Sequence, residues 1–174
     1  MIALYDLSKQ PCSFDFLQWL VTAMTRGADA VRLYVDGGFL PKYYDGEQSE
    51  RMASIIEPAC DLARVHCTRG KRDGVRFDHM VGETLKTYHS CGSLKKLRGV
   101  LPPRTGRYIT ITYRNQKKVY RNSNMEAWEW LRRNAACKLV EIPDYAQQPI
   151  HLHERMALYE GAVQNFFVSN GPLA

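Results

Sequence analysis

The chain lacks most of the signatures by which a sequence announces its chemistry. Among its 174 residues there is no Walker A loop, no G-x-G-x-x-G turn, no H-E-x-x-H helix and no nucleophile elbow. The standard phosphate cradle, dinucleotide fingerprint, zinc-protease helix and strained serine turn are therefore set aside. The five cysteines, Cys12, Cys60, Cys67, Cys91 and Cys137, are odd in number and never fall at C-x-x-C spacing. Neither a disulfide framework nor a zinc ribbon fits that pattern, and the cysteines read as free thiols in a reducing compartment. No apolar run approaches the roughly 20 residues a membrane span requires, and no basic segment of the secretory type opens the chain. The expected location is cytoplasmic. Internal repeats and low-complexity tracts are also missing.

What is present is ordinary in bulk and uneven in detail. A hydrophobic share of 45% and a charged share of 24% suit a globular protein that can bury a full core, as one domain or one and a fraction. The net charge is +6 and the pI about 9.1. Such a balance points to nucleic acid, an anionic membrane surface or a phosphorylated small molecule. The excess is local: Leu94 to Arg133 holds eleven Lys or Arg against two acids, whereas the remainder has thirteen basic and sixteen acidic residues. A patch of this kind fits a site better than a general polyelectrolyte.

The centre of that patch is Arg107 to Asn124. Tyr108 to Tyr113 alternates Ile109 and Ile111 with Thr110 and Thr112, a β-branched and aromatic run suited to a pleated strand. Arg114, Lys117, Lys118 and Arg121 follow without an acid between them. Asn122, Ser123 and Asn124 are all able to cap the helix that begins at Met125, and Glu126 complements its dipole. A strand, a basic loop and a helix N-terminus form an arrangement that holds anions. The plainer reading is a capped surface helix after a solvated loop.

Before this stretch, Met1 to Tyr5 reads as a buried strand. Ser13 then caps a helix from Phe14 to Arg26, whose apolar face is Phe14, Leu17, Leu20, Val21 and Met24, with Gly27 closing it. Ala30 to Asp36 is a second strand and Phe39 to Gly46 a loop, where Tyr43 and Tyr44 could stack on a ligand or simply cover a core edge. Glu47 to Arg64 has a helical pattern that Pro58 should kink or end. Val65 to Thr68 is a third strand, Arg69 to Gly74 an exposed turn and Phe77 to Tyr88 a helix. Ser90 to Pro103 marks a connection. Beyond it come strand Tyr108 to Tyr113, helix Met125 to Asn134, strand Lys138 to Ile142, helix His153 to Ala162 and strand Asn165 to Val168. Alternation of this kind implies an α/β fold with Rossmann-like parallel sheets and covering helices. The expected domains are residues 1–99 and 108–174, joined by a linker at 100–107. Because the second half shows only three strands, either the halves share one sheet or the chain is shortened.

In open α/β sheets, ligands bind beyond the carboxyl ends of the strands. Three loops qualify here: Asp6 to Asp15, Arg114 to Asn124, and Ser169 to Pro172. Asp15 is a candidate general base, or else an acid complementing a helix dipole. His151 and His153 form an H-x-H without a third ligand, so no metal is assigned and the pair reads as polar surface. Trp128 and Trp130 cannot share a helix face, which puts one in the core and leaves the other partly exposed.

The final MALYEGAVQNFFVSNGPLA resembles the helix, strand and turn of GT-B glycosyltransferases related to bacterial heptosyltransferases. Ala157, Leu158, Ala162, Phe166, Val168, Asn170, Gly171, Pro172 and Leu173 fall at matching places. MIALYDL with PCSFDF, YITITYR with RNSN, and YEGA with NGP together resemble uncharacterised GT-B-like proteins of bacteria and phages. The resemblance implies an acceptor-side first domain, a donor-side second domain that is incomplete at its C-terminal end, and sugar transfer from a nucleotide-sugar substrate without metal or cofactor. It places Asp15 as the base, with Ser169, Asn170 and Gly171 near the donor diphosphate. Asn170 stands where the pattern has Ser, and Leu173 where it has Met. Arg114, Arg121, Asn122, Ser123 and Asn124 complete the expected donor site, across a cleft from Asp15. The alternative is a non-enzymatic binding or assembly protein on the same scaffold, with its basic surface for nucleic acid or a protein partner. A second copy or a partner chain would then cover the incomplete half.

Overall fold

A computed structural model describes residues 1–35, 38, 45–77, 81–95, 97, 101–113, 123–142 and 150–167. The chain divides into two compact units, Met1–Arg98 and Gly99–Leu173. Each unit is an α/β layer structure with its own parallel sheet, in a generic Rossmann-like architecture. The halves thus carry two separate sheets rather than sharing one.

In the first unit, β1 (Ile2–Asp6), β2 (Ala30–Tyr34), β3 (His66–Arg69) and β4 (Val75–Arg76) form a sheet of order β3-β2-β1-β4. Ala3, Leu4 and Tyr5 are buried because β1 is central and covered on both faces. Sequence reading passes over β4, whose two residues carry no periodic signal. Its entry depends on Gly74 at φ +128: a Cβ there would meet Ile2 O at 3.0 Å and Leu4 Cβ at 3.2 Å.

Helix α1 (Asp15–Thr25) buries Phe16, Trp19, Leu20, Thr22 and Ala23. Its inner face is thus rotated from the predicted one, since Leu17, Val21 and Met24 are only half-buried. The aromatic residues decide the rotation. The Trp19 ring lies 4.7 Å from that of Tyr5 and 5.4 Å from that of Phe16, and its Nε1 donates to Phe77 O at 3.1 Å. Ser13 is not the N-cap. Phe14 occupies that position in helical geometry without a side-chain cap, while Ser13 Oγ donates to the Asp15 carboxylate at 2.8 Å.

Pro58 does not end the helical run that contains it. Helix α2 (Asp45–Arg51) passes into a π-helical stretch, Met52–Ile56, and then into α3 (Glu57–Ala63), with Pro58 in the first turn of α3. A proline brings no N–H and its ring crowds the preceding turn; widening that turn to π geometry relieves both problems. Ile55 and Ile56 are fully buried there. Helix α4 (Val81–Cys91) begins later than expected and packs along α1.

Gln48 of α2 is 0% exposed, yet neither its Nε2 nor its Oε1 has a hydrogen-bond partner among the described residues. An orphaned buried amide costs about 1–3 kcal/mol. Gln48→Met, of similar volume, is therefore expected to raise stability by about 1 kcal/mol or more in urea unfolding. A loss of stability would mean that the amide serves a bound water or ligand.

In the second unit, β5 (Tyr108–Thr112) lies between β6 (Lys138–Glu141) and β7 (Gln164–Phe167). All five β5 residues are buried, threonines included, because the strand is covered on both faces. The threonines are satisfied by side chains: Thr110 Oγ1 donates to Asn165 Oδ1, and Thr112 Oγ1 bonds Tyr159 Oη at 2.9 Å. Helix α5 (Met125–Asn134) has the predicted bounds, and α6 (Leu152–Glu160) stops short of Gly161. Trp128 is buried and Trp130 is 65% exposed, the division expected for two tryptophans two residues apart.

Candidate functional site

Both sheets have a topological switch point, the place beside the central strand where successive connections leave in opposite directions and where open α/β folds take ligands. In the first unit it lies between β1 and β4. Gln10 spans it, accepting from the Asp6 N–H at 2.9 Å and donating to Phe77 O at 3.2 Å. The loop after β1 satisfies itself: Lys9 N and Gln10 N donate to Asp6 O, and Ser8 N donates to the Asp6 carboxylate. These amides are consumed internally, so the turn does not present a phosphate cradle.

Asp6 organises this edge. Its carboxylate is buried, accepts from Ser8 Oγ and pairs with Arg72 at 2.7 Å, while the Arg72 guanidinium lies 5.5 Å over the Tyr34 ring. Burial alone would raise its pKa. The Ser8 hydrogen bond and Arg72 outweigh burial and hold the carboxyl below the usual carboxylate range. Asp6 is therefore a fixed charge that organises its surroundings. Asp15 is the exposed carboxylate of the same loop, in the first turn of α1 and bonded to Ser13.

In the second unit the switch point lies between β5 and β7. These strands are parallel neighbours in register Thr112↔Phe167, so their carboxyl ends lie side by side. The described chain brings together the starting points of two stretches that sequence reading selected separately. Arg114, Arg121, Asn122, Ser169, Asn170, Gly171 and Pro172 themselves lie outside the described residues, as do Tyr43 and Tyr44.

Of the three predicted caps, Asn124 is the one used. Its Oδ1 accepts from Glu126 N at 3.0 Å and Ala127 N at 3.3 Å, while Ser123 is buried just before it. Two of the helix's leading amides are thus occupied by Asn124, which leaves α5 to act on an anion through its dipole. His151 caps α6, its Nδ1 accepting from His153 N at 3.3 Å. Among the described residues, no group of three or more His, Cys, Asp or Glu could hold a metal ion.

Sequence reading missed Arg155. It sits in α6 at 1% exposure, and its Nη1 reaches Tyr159 Oη at 3.2 Å, which in turn bonds Thr112 at the carboxyl end of β5. A buried positive charge thus stands one phenol away from the switch point. The signal was the register: Leu152, Arg155 and Tyr159 share one helical stripe, where an apolar residue is the norm. On the opposite flank, Arg132 is committed to Glu141 at 2.6 Å and stacks 5.5 Å from the Tyr113 ring.

Among the described residues no helix is long and apolar enough to cross a membrane. In comparisons with protein-family models, curated proteins and solved structures, none of the three finds a match to this chain.

Proposed function

We propose that the chain binds a nucleotide-sugar through its second unit and acts as a GT-B-like glycosyltransferase or a shortened relative of one. The observation that carries this reading is the pairing of β5 with β7, which sets side by side, at a switch point, the carboxyl ends of the two strands that precede Arg114 and Ser169 in the chain. The α5 dipole adds positive potential to that edge. In this scheme Arg114 and Arg121 stabilise the leaving diphosphate, and Asp15 takes the proton of an acceptor hydroxyl. Charge developing on the diphosphate is met by fixed cations and a helix N-terminus, so the reaction needs no metal of its own.

Titration calorimetry of the full chain with nucleoside diphosphates tests the proposal. Binding at millimolar concentration or tighter is expected, and Arg121→Ala is expected to weaken it by about tenfold, roughly 1.4 kcal/mol. Absent binding, or binding indifferent to that substitution, sinks the reading. Steeply salt-dependent association with nucleic acid and no nucleotide preference would favour a non-enzymatic binding protein instead.

A further inference from the structure

The first sheet is covered unequally on its two sides. Tyr5 meets Phe16 and Trp19 of α1, and Leu33 and Cys67 share a cleft with Glu57 and Asp61 of α3, so both helices lie on one face. On the other face the short segment 70–74 carries the chain from β3 to β4, where a parallel crossover ordinarily takes a helix. In this segment Arg72 pairs with Asp6 at 2.7 Å, Asp73 pairs with Arg32, and Gly74 sits against Leu4. The register sets Thr68, Arg32, Leu4 and Arg76 in one row across the sheet, with Tyr34 and Asp6 in a neighbouring row on the same face.

So thin a cover leaves much of this face open. Leu4 and Asp6 are buried, but His66, Lys71 and Arg76 are exposed, and Tyr34 and Thr68 are half-buried. The described acids here are each committed to an arginine, Asp6 to Arg72 and Asp73 to Arg32. Lys71 and Arg76 enter none of the ion pairs among the described residues, so the face carries a net positive charge.

We propose that this open face binds single-stranded nucleic acid, with phosphates on Lys71 and Arg76 and a base stacked on the Arg72 guanidinium. Charge complementarity calls for an anionic partner, and the other groups on the face narrow the choice. They are polar or planar, without the apolar centre that a protein interface or a bilayer would need. A sheet presents its face flat, which suits unpaired bases rather than the groove of a duplex. Arg72 is prepared for stacking: the buried Asp6 fixes its guanidinium, the Tyr34 ring lies 5.5 Å from it, and its side chain stays 36% exposed. A cationic plane held in this way loses little freedom when a base arrives. The inference concerns the first unit and stands apart from the nucleotide-sugar reading of the second.

Fluorescence anisotropy of the full chain with a labelled oligothymidylate of about 15 nucleotides tests the proposal. Micromolar binding is expected at low salt, weakening steeply as salt rises. Lys71→Ala combined with Arg76→Ala is expected to reduce the salt slope by about 0.7 for each cation removed. Arg72→Lys keeps the charge beside Asp6 but loses the plane, and is expected to weaken binding by about fivefold or more with the slope unchanged. Lys117→Ala with Lys118→Ala, in the second unit, is the control and is expected to leave binding unaltered. Absent binding, binding abolished by the control pair and not by the Lys71 and Arg76 pair, equal affinity for a duplex, or attachment to phosphatidylserine vesicles without the oligonucleotide overturns the proposal. Because Lys71 and Arg76 are exposed and outside the ion pairs, the double variant decides the matter even if Arg72→Lys fails to fold.

Discussion

Gly161→Ala is expected to destabilise the second unit by about 3 kcal/mol or more. Gly161 follows α6 with φ −82, a conformation open to any residue, so its requirement is for space. A Cβ there would stand 2.2 Å from Arg104 O, 2.8 Å from Arg104 N and 2.6 Å from Tyr108 Oη. Moving the Arg104 segment would break its bond to Ala157 O, and Tyr108 is itself held through its hydroxyl to Leu158 O at 2.7 Å. Neither neighbour yields without losing a hydrogen bond. Gly70→Ala serves as the control, because its Cβ would meet nothing nearer than Arg32 Cδ at 3.8 Å. That change is expected to be neutral or stabilising by up to about 1 kcal/mol. Urea unfolding followed by circular dichroism measures both, and a near-neutral Gly161→Ala would mean that Arg104 does not rest on the end of α6.

Trp19→Ala is expected to remove about 3–5 kcal/mol from the first unit, a large part of the roughly 5–15 kcal/mol that holds a domain together. Trp19 is 0% exposed and touches Tyr5, Phe16 and Phe77 through its ring. Its indole N–H also donates to Phe77 O, the carbonyl that follows β4, alongside Gln10 Nε2. Truncation leaves a cavity and weakens the hold on the two-residue strand. Trp19→Phe separates these effects: it keeps most of the packing and loses the hydrogen bond, for a cost of about 1–2 kcal/mol. Equal losses in the two variants by denaturant titration would contradict this division.

The elements that sequence reading found are those whose signal is local. Helix α5 has its predicted bounds because Asn124 caps it and the pattern is periodic. Strand β5 is legible because Ile109, Thr110, Ile111 and Thr112 are all β-branched. What escaped depends on distant partners. Strand β4 exists because Gly74 lets it approach β1, and the face of α1 is set by aromatics that meet Tyr5 and Phe77. Composition treats Asp6 and Arg155 as surface charges; their burial follows from Arg72, Ser8 and Tyr159, which come close only in the folded chain. Pro58 was read as a breaker because sequence rules assume an α-helical turn before it. At the candidate site, the strand–helix alternation implied a parallel sheet, but not that β7 lies beside β5. The roles proposed for Arg121 and Asn170 concern positions outside the described residues.

The position of β1 also bears on the order of folding. It is one of the two inner strands of its sheet, yet it precedes both neighbours in the chain: its register partners begin at Ala30 on one side and Val75 on the other. On a ribosome, IALYD emerges before either of its partner strands, and it remains open on one edge until β4 has cleared the exit tunnel. During that interval a short, apolar, β-prone segment is exposed to other nascent chains, and the α1 aromatics made soon after it are the first groups able to shield it.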